Sequence, residues 1–313
     1  MIAAFVFPGQ GSQAVGMGKD LAQAFPAARL VFEEVDEALK QKLSHLMFEG
    51  PESDLTLTEN AQPALMAVSM AVVRVLEKEG AFSLPAKGRY VAGHSLGEYS
   101  ALAAAGTFSL ADTARLLKRR GQAMQRAVPV GKGAMAALLG LDLDAARQVA
   151  REAAQGDICA AANDNAPGQV VVSGTKEAVE RAIQIAPAHG AKRSILLPVS
   201  APFHCALMAP AADAMAEALA QVALQPPRLP LVANVTAQAT DSTEDIRRLL
   251  VEQVTGLVRW RESVLFMKEK GVDTLVELGA GTVLSGLAKR IDKDLAGLSV
   301  GAPADIERLL KGV

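Results

Sequence analysis

The chain has 313 residues, half of them hydrophobic, enough to bury a large core and to hold more than one domain. A net charge of −2 leaves no overall basic field for nucleic acid or a membrane surface, so an anionic partner would have to be met by local patches. Two cysteines, Cys159 and Cys205, form neither a disulfide framework nor a zinc-ligand spacing, which fits a reducing compartment and no bound metal.

Residues 1–7 lack a basic n-region and run at once into Pro8-Gly9, so they read as a first strand and not as a signal peptide. No apolar segment is long enough to span a bilayer. The expectation is a cytoplasmic protein, a monomer, with neither nucleic acid nor membrane as a partner. The loop Pro8-Gly9-Gln10-Gly11-Ser12-Gln13 leaves backbone amides uncovered by side chains, as an oxyanion site requires, although a plain Gly-rich turn has the same composition. Residues 14–40 and 60–78 read as largely helical. In the second, Leu65, Val68, Val72, Val73 and Leu76 recur at helical spacing.

Residues 88–92 then read as a short strand, and 98–105 as a run of helix formers ending at Gly106. Between them stands Gly93-His94-Ser95-Leu96-Gly97, a Gly-x-Ser-x-Gly at a strand-to-helix turn. A Cβ at either glycine would crowd the neighbouring chain in so sharp a turn. The geometry pushes the Ser95 hydroxyl clear of the backbone and aims the Leu96 amide at the place where an oxyanion would form.

On a helical wheel of residues 110–126, Leu110, Thr113, Leu117, Gly121 and Met124 gather on one arc, while Arg115, Lys118, Arg119, Gln122 and Arg126 lie opposite. Arg120 breaks this pattern, falling roughly 60° from the centre of the apolar arc. A guanidinium there either snorkels to water or meets a buried anion; the wheel favours snorkelling.

From Gly133 the order of elements becomes βαββαβ: strands at 133–140, 157–162, 169–173 and 193–199, helices at 144–154 and 176–186. Residues 129–198 are therefore expected to form an inserted ferredoxin-like subdomain, within a core made of 1–128 and 199–313. The turn formers at 163–169 suffice to explain that stretch structurally.

A base for Ser95 should be a histidine, and there are four. His45 lies in an amphipathic surface-type segment and His189 in a Gly-flanked loop. His94 adjoins the serine, but its side chain leaves in another direction. His204 is held by Pro198 and Pro202 at the irregular entry of a helical run at 206–224, and it follows the serine in chain order. The neighbouring thiol, Cys205, would diverge from His204 and is a poor rival nucleophile. Strands at 231–235 and 272–278, with helices near 245–254, 261–270 and 284–291, complete an alternation that implies a parallel sheet covered on both faces. The fold class is α/β, an α/β-hydrolase-like parallel-sheet core with the inserted ferredoxin-like subdomain. No Asp or Glu between serine and histidine sits in a convincing loop, so a serine–histidine dyad is the simpler reading.

Six segments together resemble the malonyl-CoA:acyl-carrier-protein transacylase family: residues 8–13, Ala61-Gln62-Pro63-Ala64-Leu65, Gly93-His94-Ser95-Leu96-Gly97-Glu98-Tyr99, Arg120-Gly121-Gln122-Ala123-Met124-Gln125, Pro202-Phe203-His204-Cys205-Ala206-Leu207-Met208 and Val258-Arg259-Trp260. The length is similar to that of the stand-alone acyltransferase of bacterial type II fatty-acid synthesis. The resemblance implies malonyl transfer from malonyl-CoA to acyl carrier protein by a ping-pong mechanism, with no bound cofactor. It implies Ser95 as the acylated residue, His204 as base and acid, and the amides of Gln10 and Leu96 as the oxyanion hole. It further puts the substrate carboxylate on Arg120 and the backbone carbonyl of Gln253 on the histidine. Phe203 is similar to the malonyl-selective form of its motif, and Met124 with Phe203 would line the acyl pocket. An acidic carrier protein calls for a basic patch, for which Lys192, Arg193, Lys289 and Arg290 are candidates. A serine esterase or thioesterase, and a non-catalytic binding module, stay open as alternatives at this point.

Overall fold

A computed structural model describes residues 2–311. Among these, the strands are β1 (Ala3–Phe7), β2 (Gly88–Gly93), β3 (Gly133–Leu139), β4 (Cys159–Ala166), β5 (Gln169–Thr175), β6 (Arg193–Leu196), β7 (Leu231–Val232), β8 (Ala239–Thr240), β9 (Thr274–Leu278) and β10 (Ala296–Val300). Six of them form a sheet in the order β10-β9-β1-β2-β7-β8, parallel throughout except for the β7–β8 edge. β1 is buried at every position. Its side chains alternate between two cores, as a strand with a period of two must. Ala3, Phe5 and Phe7 pack with the helices Pro26–Leu39, Thr58–Lys78 and Leu110–Ala127, whereas Ala4 and Val6 pack with Trp260–Glu269 and Val283–Ile291.

The other four strands form an antiparallel sheet in the order β4-β5-β3-β6. Helices Leu143–Ala154 and Lys176–Ile185 cover it around a separate core that includes Leu138, Val149, Val172 and Val179. The molecule is thus a mixed α/β protein with a parallel-sheet core and a distinct antiparallel subdomain. No helix among the described residues is long and apolar enough to cross a membrane.

Several elements differ from the sequence reading. The stretch at 14–40 is not continuous: Lys19–Ala24 and Pro26–Leu39 are separate helices joined through an extended Phe25. Pro26 suits a first helical position and forces the residue before it out of the α region. The strand expected at 231–235 stops at Val232, the one at 193–199 stops at Leu196, and the helical run at 206–224 is a short 3₁₀ turn followed by the helix Ala209–Ala220. β10 and the helix Pro303–Leu310 were not anticipated.

The most consequential difference is β4. Expected to end at 162 before a turn, it continues to Ala166, and the turn is confined to Pro167-Gly168. Its overrun docks on the parallel-sheet core. The Val258 amide donates to the Ala162 carbonyl at 2.9 Å, and the Asp164 amide donates to the Val258 carbonyl at 2.9 Å. The buried Asp164 carboxylate pairs with Arg261 at 2.8 Å.

Candidate active site

β2 feeds straight into the Gly97–Ala104 helix, and the turn between them is as sharp as the sequence requires. A Cβ on Gly93 would stand 1.9 Å from the Gly97 carbonyl, and one on Gly97 would stand 2.2 Å from the Phe7 carbonyl oxygen. Ser95 itself sits at φ 54°, a left-handed conformation that costs a non-glycine residue about 1–3 kcal/mol and persists only when its surroundings impose it. Those surroundings are hydrogen bonds. The Ser95 amide donates to Asn234 Oδ1 at 2.8 Å, the Asn234 amide group donates to the Gly93 carbonyl at 2.7 Å, and the Ser95 carbonyl accepts from Gln253 Nε2 at 2.8 Å.

The strand reading of 231–235 hid Asn234. It falls in a turn just past β7, where its side chain can reach back to the serine.

Of the four histidines, the structure brings His204 to the serine, with Ser95 Oγ and His204 Nε2 2.8 Å apart. His204 also has a positive φ, 58°, so both members of the pair are held in backbone conformations that their neighbours must enforce. Its Nδ1 lies 2.8 Å from the Gln253 carbonyl oxygen. A carbonyl only accepts, so the ring hydrogen belongs on Nδ1, leaving Nε2 as an acceptor facing the hydroxyl. Burial, reinforced by the positive charge of Arg120, pushes His204 down to about 3. The ring is therefore neutral at physiological pH and free to take a proton.

The remaining histidines go elsewhere. His94 turns away to Asn165 at 2.8 Å, and His189 pairs with Glu152 at 2.9 Å on the surface. His45 lies exposed on the helix Leu43–Glu49.

Arg120 does not snorkel. It is 1% exposed and lies over the Tyr99 ring, its guanidinium carbon 5.7 Å from the centroid. Nη1 donates to Gln62 Oε1 and Nη2 to Gln253 Oε1, each at 2.8 Å, and Nη2 also reaches Ser95 Oγ at 3.2 Å. Two carboxamides therefore hold the cation against the serine, while Nε has no partner among the described residues. Gly121, next on the helix, permits this approach, since a Cβ there would stand 2.5 Å from Glu59 Cα.

The resemblance implies a role only for the Gln253 carbonyl, yet its side chain is the centre of the site. Nε2 donates to the Ser95 carbonyl and, at 2.6 Å, to Glu98 Oε2, while Oε1 takes the Arg120 bond. Glu98, 1% exposed, is the second ionisable group sealed here; burial pushes it up to about 7. Gln62 and Glu98 had appeared only as letters of a motif, and no periodicity marks a polar residue that faces a buried cation.

The Pro8–Gln13 loop packs against the elbow, since a Cβ on Gly9 would lie 2.8 Å from the His94 carbonyl oxygen. Gln10 is tied through its side chain to Thr58 at 2.7 Å. Neither the Gln10 amide nor the Leu96 amide donates to a protein acceptor among the described residues. Met124 is buried, with its sulfur 3.7 Å from Gln62 Nε2, and Phe203 is buried directly before His204. Cys205 donates its thiol to the Pro202 carbonyl at 3.3 Å, and burial pushes that thiol up. Among the described residues, no three His, Cys, Asp or Glu side chains come together as a metal would need.

Residues 4–297 match the acyl transferase domain family. The chain is similar to a malonyl CoA-acyl carrier protein transacylase of Bacillus subtilis, 46% identical over 97% of this chain and 95% of the relative. It is equally similar to one of Escherichia coli, 46% identical over 98% of each. Its structure is similar to that of an acyl-carrier-protein-S-malonyltransferase from Bartonella henselae, with TM-score 0.97 and 58% identity over 100% of both chains. It is also similar to a malonyl-transacylase solved in complex with its type II PKS acyl-carrier protein, with TM-score 0.96 and 45% identity over 100% of both.

Proposed function

The chain belongs to the acyl transferase family, and from that premise we propose that it is a malonyl-CoA:acyl-carrier-protein S-malonyltransferase of fatty-acid biosynthesis, working by a ping-pong mechanism in the cytoplasm. The observation that carries this reading is a sealed guanidinium 3.2 Å from the hydroxyl of a Ser–His pair. An esterase acting on a neutral acyl group has no use for such a cation, whereas an acyl group ending in a carboxylate needs one.

In the first half-reaction the neutral His204 takes the Ser95 proton on Nε2, and Ser95 Oγ attacks the malonyl thioester. The amides of Gln10 and Leu96 receive the oxyanion, and Arg120 holds the distal carboxylate. Collapse expels the CoA sulfur, which takes the proton from His204. The phosphopantetheine thiol of acyl carrier protein then runs the same steps in reverse order. The Gln253 carbonyl steadies the imidazolium in place of a triad acid, and Met124 and Phe203 line the acyl pocket. No step calls for a bound cofactor or metal.

The acidic carrier would dock on the exposed Lys192, Arg193, Lys289 and Arg290. The division into a core of 1–128 and 199–313 with an insertion at 129–198, and the action of the chain as a monomer, belong to the same proposal; the two separate sheets support the division.

Intact-mass spectrometry after mixing with malonyl-CoA tests the reading. It expects one malonyl group, mapped to the Ser95 peptide and discharged by the carrier thiol faster than by water. No adduct, or discharge to water alone, would overturn it.

A further inference from the structure

Glu98 stands in the first turn of the elbow helix, and the Ser–His chemistry does not touch it. A carboxylate this deeply sealed is costly unless a positive charge and full hydrogen bonding compensate it. Here the compensation is partial. Oε2 accepts from Gln253 Nε2 at 2.6 Å and from the Asn234 amide at 3.4 Å, while Oε1 has no donor among the described residues. The nearest cation, Arg120, is reached through one carboxamide. Gln253 turns its nitrogen to Glu98 and its oxygen to Arg120, so the bridge is polarised by an anion at one end and a cation at the other.

Charge counting in the sealed site then gives a definite result. Above pH 7, where Glu98 is mostly ionised, the empty site holds one cation, one anion and a neutral His204, and it is balanced. An acyl carboxylate on Arg120 would leave two anions against one cation in a region shielded from water, which is unfavourable by the same rule that makes Arg120 necessary. One proton restores the balance.

We propose that Glu98 is the resident counter-charge of Arg120 and takes up one proton from solvent when an acyl carboxylate occupies the guanidinium. No bond between heavy atoms changes. The acceptor is the unpartnered Oε1, where a neutral hydroxyl is less costly than a bare anionic oxygen.

The other groups facing Glu98 do not compete for this proton. Tyr99, beside it on the same helix, is pushed up by burial and is already protonated. Gln253 and Asn234 carry no charge. Glu98 itself already stands at about 7, held down in part by Arg120, so a second anion on that cation moves it upward through physiological pH. His204, on the far side of Gln253, starts from about 3.

This inference rests on the transfer of a carboxylate-bearing acyl group, and its test separates the two. Ser95→Ala protein, which cannot be acylated, is titrated with malonyl-CoA and with acetyl-CoA by calorimetry in buffers of differing ionisation enthalpy at pH 7.5 and 8.5. Malonyl-CoA should take up a substantial fraction of a proton more than acetyl-CoA. Its affinity should fall as pH rises from 7 to 9, since a reaction that binds a proton weakens as protons are removed, while the acetyl-CoA affinity stays level.

In Ser95→Ala/Glu98→Gln, whose amide oxygen can keep the Gln253 and Asn234 bonds, the extra proton and the pH slope should both vanish. Equal proton counts for the two ligands would overturn the proposal, as would an uptake that survives Glu98→Gln. Should the double variant not fold, a difference infrared spectrum of Ser95→Ala protein decides: malonyl-CoA must raise a protonated-carboxyl band that acetyl-CoA does not. Wild-type enzyme that forms no malonyl-Ser95 would instead refute the parent reading.

Discussion

Replacing Arg120 with alanine perturbs substrate choice and stability at once, and the structure separates the two effects. For substrate choice, a hydrogen bond to a charged group contributes about 1.5–3 kcal/mol, one to two decades in rate. Arg120→Ala should therefore lower malonyl transfer by about tenfold to a hundredfold. Acetyl transfer should be spared or improved, since no unpaired buried cation then opposes a neutral acyl group. Lysine should rescue only in part, because it lacks the planar fork that Gln62 and Gln253 grip from two sides.

For stability, the truncation leaves two carboxamide oxygens without their donor and Glu98 without its cation, together about 2–5 kcal/mol. The loss should grow with pH. Glu98 is already raised from 4.5 to about 7 in the folded chain, and losing Arg120 raises it further. A group raised on folding stabilises fully below its unfolded value and loses that contribution as pH climbs through the folded one. Urea melts of the variant against wild type at pH 6 and pH 8.5 should show the larger deficit at the higher pH. Competition between malonyl-CoA and acetyl-CoA, read as acyl-enzyme masses, measures the preference. An unchanged ratio in folded Arg120→Ala protein would refute the reasoning.

Ser95→Ala should form no malonyl adduct, and His204→Ala should form it at least about a hundredfold more slowly; an adduct of normal yield on Ser95→Ala would move the nucleophile elsewhere. Leu96→Pro should cut turnover by about a hundredfold or more, because proline suits the Leu96 φ of −55° while deleting its amide; wild-type turnover in a folded variant would take that amide out of the oxyanion hole. With His204 held at about 3, the acid limb of malonyl-adduct formation should lie well below the ordinary histidine range, and a limb near 6.5 would show a solvated imidazole instead.

What could be read from the sequence follows from how local each determinant is. Gly93, Ser95 and Gly97 announce their turn because the three stand within five residues, although only the crowding at Gly93 is local and that at Gly97 comes from Phe7, and Arg120 stands out because one wheel shows its misplacement. Glu98, Gln62 and Asn234 could not be assigned that way, since their partners lie far away in the chain and a buried polar residue looks like a surface one until its contacts are known. Residues 163–166 misled for the same reason. Asn and Asp there are turn formers by propensity, but the segment pairs with β5, Asp164 opposite Val170, and the Asp164 amide also donates to the distant Val258 carbonyl, so tertiary pairing overrides local preference. β7 erred in the opposite direction: apolar β formers at 231–235 suggested a longer strand, and Asn234 ended it to reach the elbow.

The overrun of β4 limits how this protein can be recombined. Asp164 and Asn165 travel with the inserted unit, whereas their partners, Arg261 and His94, belong to the host. A graft of residues 129–198 from a distant relative that altered either contact would leave Arg261 without its carboxylate, or the imidazole next to the nucleophile without its Asn165 partner. Productive chimeras therefore have to exchange four positions spread over three stretches of chain, with crossover points chosen by these contacts and not by where the insertion begins and ends.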